Sequence, residues 1–169
     1  MRMHEGVEWA AHCASILAVL PEGAALPAAR LAEYHGVPAP YLAKSLQALT
    51  RAGIVESTTG RLGGYRLGRP AAEISLLDIV EAIEGTDPFF RCTEIRRRGP
   101  SRVAVRNYSP TCGIAAAMGR AEQAWRTELG ATTLADIGVL IMEQAPPAAL
   151  EKGVTWLTQV LTTRGAPGP

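Results

Sequence analysis

Apolar side chains recur along the chain at two spacings, and the change from one to the other marks out its elements. From residue 4 to residue 20, Val7, Ala11, Ile16, Leu17 and Leu20 keep helical spacing, and Pro21 and Gly23 end the run. A second, short helix fits Pro27 to Tyr34 with Leu31 inward, and the stretch from His35 to Pro40 reads as a turn. Pro40 opens a third helix whose buried stripe is Leu42, Leu46 and Leu49 and whose C-terminal cap is Gly53. The period then shortens to two: IVESTT and GRLGGYRLGRP predict two strands joined by a glycine-rich turn.

Helix, turn, helix and hairpin in that order are the winged-helix plan, in which the second helix of the pair enters the major groove and the wing touches the flanking backbone. Tyr41, Lys44, Ser45 and Gln47 fall on or near the exposed part of that helix, Arg51 lies near its end, and Arg61, Arg66 and Arg69 decorate the wing. Ile74 to Gly85 is helical again, with Ser75 as N-cap and Asp78 in its first turns. Residues 86–111 are charged, proline-punctuated and aperiodic, a length of loop that compact domains rarely keep without a use. Beyond them Ile114, Met118, Ala121, Trp125 and Leu129 form the stripe of one long helix, suited to pairing with its copy in a homodimer. Thr132 to Met142 is expected to continue it after a break at Gly130, and a last helix near Val154 to Leu161 precedes a frayed tail. The expected fold is mainly α, a winged helix-turn-helix with a small β-hairpin wing and a long dimerisation helix.

Charge sharpens this picture only locally. The net charge of +1 gives no global sign of a nucleic-acid partner. Between Arg30 and Arg69, however, six basic residues face only Glu33 and Glu56, and the stretch from Arg91 to Arg106 holds six arginines against Glu94 alone. A length of 169 residues with 47% hydrophobic content supplies a sizeable core. No apolar run approaches the roughly 20 residues that cross a bilayer, and the start lacks a signal peptide's apolar centre, so a cytoplasmic protein is expected. Enzymatic activity is not expected: there is no glycine loop preceding a lysine, no Ser/His/Asp set and no HExxH, and GRLGGYRLG lacks the strand-to-helix setting of a dinucleotide site.

Cysteine use adds the candidate chemistry. In a reducing compartment three cysteines are better read as metal ligands or reactive thiols than as a disulfide framework. Cys92 and Cys112 bracket the irregular loop, but a closed tetrahedral metal site or an iron–sulfur cluster takes four protein ligands. Glu8 and His12 are candidates for the missing pair, because residues four apart share one helix face. Cys13 points about 100° away from His12 and reads as a buried apolar residue. A disulfide switch, a zinc site, inert thiols and a solvated Glu8/His12 face are the alternatives.

The run PAPYLAKSLQALTRAGIVESTTGRLGGYRLGRPAAEISLLDIVEAIEG resembles the Rrf2 family of dimeric bacterial transcription regulators, and the likeness extends from the first helix through TTLADI. Its specific signature is the GGYRL wing followed by LLDIVEAIEG. Members of the family that sense through a cluster hold it with three loop cysteines and one further ligand. Here Cys92 and Cys112 match the first and last, and no cysteine stands between them. With VEWAAHC near the start, then CTEIRRRGP and TCGIAAAMGRAEQAW, the chain is similar to the redox-sensing branch of the family. That resemblance implies a 2Fe-2S cluster bound by Cys92 and Cys112 of one subunit and by Glu8 and His12 of the other, with Trp9 a candidate relay of cluster state. The expected organisation is a winged-helix DNA-binding domain over 1–85, a cluster-binding loop over 86–112, a dimerisation helix region over 113–142 and a C-terminal extension over 143–169. The expected function is control of affinity for a promoter in double-stranded DNA by the redox state of the cluster. The alternative is a cluster-free regulator of the same family, switched by a thiol/disulfide or small-molecule signal.

Overall fold

The computed structural model describes residues 3–60, 63–100, 102–108 and 111–165, with side chains described up to residue 161. Seven α-helices and one hairpin follow in the order α1 (Glu5–Ala18), α2 (Ala28–His35), α3 (Ala39–Arg51), β1 (Val55–Thr58), β2 (Gly64–Leu67), α4 (Leu76–Glu84), α5 (Gly113–Ala131), α6 (Leu134–Gln144) and α7 (Pro147–Gly165). Among the described residues no helix is long and apolar enough to cross a membrane.

The stripes that predict α2 and α3 converge on one core, whereas that of α1 is turned. Val7 and Leu17 are buried as expected, but Ala11, Ile16 and Leu20 are only partly so, and Ala10, Cys13 and Ala14 take the inward face. Leu31, Leu42, Leu46 and Leu49 are fully buried beside Cys13, Ala10 and Ala14 of α1. Gly36 closes α2 in the left-handed region that favours glycine, and Gly53 does the same one residue past the cap of α3. The hairpin pairs Val55 with Leu67 and Thr58 with Gly64, and Leu26 adds a third extended segment by exchanging two hydrogen bonds with Tyr65, of 2.7 and 2.9 Å. Gly64 is required there, since a methyl group would stand 2.5 Å from the Leu26 carbonyl carbon. Ser75 caps α4 in a reciprocal box with Asp78, as the sequence predicts.

The second half departs from expectation at two points. Gly130 does not break α5, which runs through it to Ala131. The break falls at Thr132 and Thr133, where the chain pairs back on the start of α4: Leu76 N–H donates to the Thr132 carbonyl, and Leu134 N–H to that of Ile74. Thr133 then opens α6 with its own capping box to Asp136, and α6 packs against α1 instead of prolonging α5. The last helix is also longer than its apolar stripe suggests, because it starts at Pro147, a residue favoured in a helix's first turn. It returns to the core, where Val160 is buried and Trp156, Leu157 and Leu161 pack around it.

Candidate metal centre and nucleic-acid interface

Two stretches far apart in sequence bring the thiols of the loop together. Cys92 lies exposed in the irregular segment after α4, and Cys112 is the N-cap residue of α5. Their sulfurs and a carboxylate oxygen of Glu94 all lie within 4.8 Å of one another. The Cys92 thiol donates to Glu94 Oε1 at 3.4 Å, and Arg96 donates to both oxygens of the same carboxylate at 2.9 and 2.8 Å. Glu94 has φ 51°, the one non-glycine residue with positive φ among those described. Backbone in that region is costly for a side-chain-bearing residue, so the surrounding contacts must hold it. They do so through Tyr108, whose hydroxyl donates to the Arg96 carbonyl at 2.6 Å, accepts from Val103 N–H at 3.0 Å, and whose ring lies under the Arg96 guanidinium.

The two thiols are not electrostatically equivalent. Backbone N–H groups of Ala115 and Ile114, at the start of α5, hold the Cys112 thiol below the usual value, with Arg96 adding to the effect. The Glu94 backbone N–H acts in the same direction on Cys92. Desolvation, the hydrogen bond donated to the Glu94 side chain and the charges of Cys112 and Glu94 outweigh it and raise the Cys92 thiol. Hydrogen bonds from Arg96 hold the Glu94 carboxyl low.

Glu8 and His12 do not join this group. Both are exposed on α1, where they line a cavity of about 250 Å³ with Trp9, His35 and Val37. Sequence reading treats His35 as a turn residue, yet its ring stands 5.7 Å from that of His12 and edge-on to Tyr34 at 5.0 Å. Burial, and then the charge of His12, lowers its pKa. Cys13 faces the core, where burial pushes its thiol up to about 12, and it is no ligand candidate. Trp9 is half-buried and lines a second cavity of about 640 Å³ on its other side, shared with Gly6, Ile83, Tyr41, Lys44 and Ser45.

Along α3, Tyr41, Lys44, Gln47 and Arg51 are exposed, and Lys44 Nζ lies 5.7 Å from the centre of the Tyr41 ring. Ser45 is not exposed with them. It is 6% accessible and turned toward α1, because its place beside Leu42, Leu46 and Leu49 puts it on the inward stripe. On the wing Arg66 pairs with its cross-strand neighbour Glu56, while Arg61 lies outside the described residues. Arg69 is engaged elsewhere, bonding Asp78 at 2.9 Å where Asp78 also completes the cap of α4. Glu94 is the site residue that sequence reasoning missed; a carboxylate two residues after a cysteine was the available signal.

A helix-turn-helix with an antiparallel wing, followed by a cysteine-bearing loop and a long helix, defines a winged-helix transcriptional regulator. A family model described as Rrf2, an iron-dependent transcriptional regulator, matches residues 3–139, and the chain belongs to that family. Its members are regulators and not enzymes. Protein aau3 of Rhizobium meliloti (strain 1021) is 38% identical over 107 residues, which span 63% of this chain and 66% of that relative, just under two thirds of its length. The fold is similar to that of CymR (YrzC), the global cysteine regulator of B. subtilis, with a TM-score of 0.66 at 21% identity over 83% of this chain and 98% of the other. It is also similar to T. potens IscR, with a TM-score of 0.63 at 21% identity over 88% and 90%. The oxidized form of Staphylococcus aureus CymR matches with a TM-score of 0.60 at 24% identity over 82% and 96%.

Proposed function

We propose that this Rrf2 regulator is a cytoplasmic homodimer that binds a promoter operator through α3 and the wing. In this reading it holds a 2Fe-2S cluster between subunits, and the cluster's redox state sets promoter affinity. One observation carries the reading: each protomer has two thiols converged at the start of α5 and, in a separate cavity on α1, the exposed pair Glu8 and His12. Each half has too few donors for a closed four-ligand site, and two protomers together supply both halves. The surface of α5 supports pairing, since no residue of this helix is buried within the protomer and Ile114 and Met118 are 67% and 44% accessible.

The donor set fits a cluster whose potential lies above that of an all-thiolate one, because an imidazole replaces a thiolate. When bound, the cluster supplies one-electron redox chemistry. The rest falls to this chain's own residues. Cys92, Cys112 and Glu8 supply negative charge, His12 supplies a neutral nitrogen, and the neighbouring Arg96 offsets part of that charge. Trp9 forms a wall of both the Glu8/His12 cavity and the groove lined by Tyr41 and Lys44, so a change in α1 reaches α3 through one side chain. Tyr41, Lys44, Gln47 and Arg51 face the groove of the duplex, and Arg61 and Arg66 of the wing meet its backbone.

Operator binding by the protein with its cluster oxidised, reduced and removed tests the reading: affinity changes with oxidation state, and equal affinity in all three sinks it. A Glu8→Ala, His12→Ala variant that keeps the visible absorption of the wild type removes the ligand assignment. A second reading keeps the DNA binding and replaces the cluster by a Cys92–Cys112 disulfide. The closeness of the two sulfurs and the lowered Cys112 thiol favour it. Iron and sulfide content of anaerobically purified protein separates the two.

A further inference from the structure

We propose that Cys92, Glu94 and Cys112 of a single protomer form a site for one borderline-soft divalent cation such as Zn²⁺, without Glu8 or His12 of any partner. The three donor atoms lie within 4.8 Å of one another in the same chain. Donors bonded to one tetrahedral ion at about 2.0–2.3 Å stand roughly 3.3–3.8 Å apart. The 3.4 Å between Cys92 Sγ and Glu94 Oε1 already matches such an edge, and the exposed Cys92 side chain can take up the remaining contraction toward Cys112.

The site is held from three sides. Cys112 is fixed at the head of α5, where the N–H groups of Ile114 and Ala115 face its sulfur. Glu94 is aimed back at Cys92 by its left-handed backbone and gripped by Arg96, and Arg96 is in turn stapled by Tyr108. One carboxylate oxygen can meet a cation while the other stays on the guanidinium. Two thiolates and a carboxylate exceed the charge of a divalent ion, and Arg96 beside them takes up the excess. Two sulfurs and one oxygen suit an ion between hard and soft, and they leave a fourth position for water. Binding releases the thiol protons to solvent, so affinity rises with pH.

Co²⁺ titration of the reduced, cluster-free protein tests this, because cobalt bound to thiolates absorbs in the near ultraviolet. The expected result is one Co²⁺ per protomer with thiolate charge-transfer absorption, in the wild type and equally in a Glu8→Ala, His12→Ala variant. Cys92→Ser should lose the site, and Glu94→Gln should weaken it about 10-fold or more. Unchanged affinity in Glu94→Gln, or absence of the band from the Glu8→Ala, His12→Ala variant, overturns the proposal. Cluster assembly in the wild type is read separately from iron and sulfide, so failure of the intersubunit cluster leaves the cobalt result standing, and the reverse.

Discussion

The indole of Trp156 stands 5.0 Å from the ring of Tyr34 and fastens the last helix to the helix-turn-helix. Tyr34 meets His35, and His35 meets His12, so four rings run from α7 to the Glu8/His12 face of α1. Residues of α7 lie beyond the part of the chain that the family model matches, yet Val160 is built into the core. Trp156→Ala should lower stability by about 2–3 kcal/mol, somewhat less than full removal of a buried aromatic because the ring is only partly buried. Urea unfolding measures it, and an unchanged midpoint would mean that α7 adds nothing to the fold.

Lys44 is exposed on the face of α3 that the proposed complex turns to the duplex. Lys44→Ala should weaken binding to specific and random DNA alike and reduce the salt dependence by roughly one counterion. Fluorescence anisotropy at several salt concentrations checks this. A variant with wild-type affinity and slope would move the interface off this face.

His35 gives stability a pH dependence of definite sign. Its folded-state pKa lies below the ordinary value of 6.5, so the fold resists a proton that the unfolded chain accepts. The stabilisation is complete above 6.5 and is lost as pH falls through that value toward the lowered one. Denaturant midpoints of His35→Gln should therefore change less than those of the wild type between about pH 7 and 5. Parallel acid limbs for the two proteins would contradict the assignment.

The three cysteines should separate by reactivity. Iodoacetamide should leave Cys13 unmodified in the native cluster-free protein, since it is buried and its thiol is raised to about 12. Cys112 should react with a lower pH midpoint than Cys92, as the α5 N–H groups favour its thiolate. Peptide mass spectrometry after timed quenching gives the order, and a lower midpoint for Cys92 would reverse the electrostatics described for the loop.

Much of this architecture is legible in the chain. The stripe of α3, the helix α4, the cap at Ser75 and the glycine turn of the wing are local patterns, and local patterns survive folding. What escapes notice depends on partners distant in sequence. The return of α6 rests on Thr132 and Leu134 pairing with Leu76 and Ile74, and nothing near Gly130 announces it. Glu94 becomes a neighbour of the thiols only through its left-handed backbone and the grip of Arg96. His35 looks like a turn residue until α2 is laid against α1. Ser45, four residues beyond Tyr41, has the polarity of a surface position and the helical phase of a core one.

That serine has a mechanical meaning. A methyl group on Gly6 would stand 3.2 Å from Ser45 Oγ and 3.5 Å from Ile83, so α1, α3 and α4 come close at this one point on the wall of the larger cavity. Close-packed groups transmit displacement and do not absorb it. A displacement of the first helix at Gly6 is therefore felt directly at Ser45 on α3. Even an alanine at position 6 would require Ser45 to give by a few tenths of an ångström, so the glycine sets how near the two helices can stand.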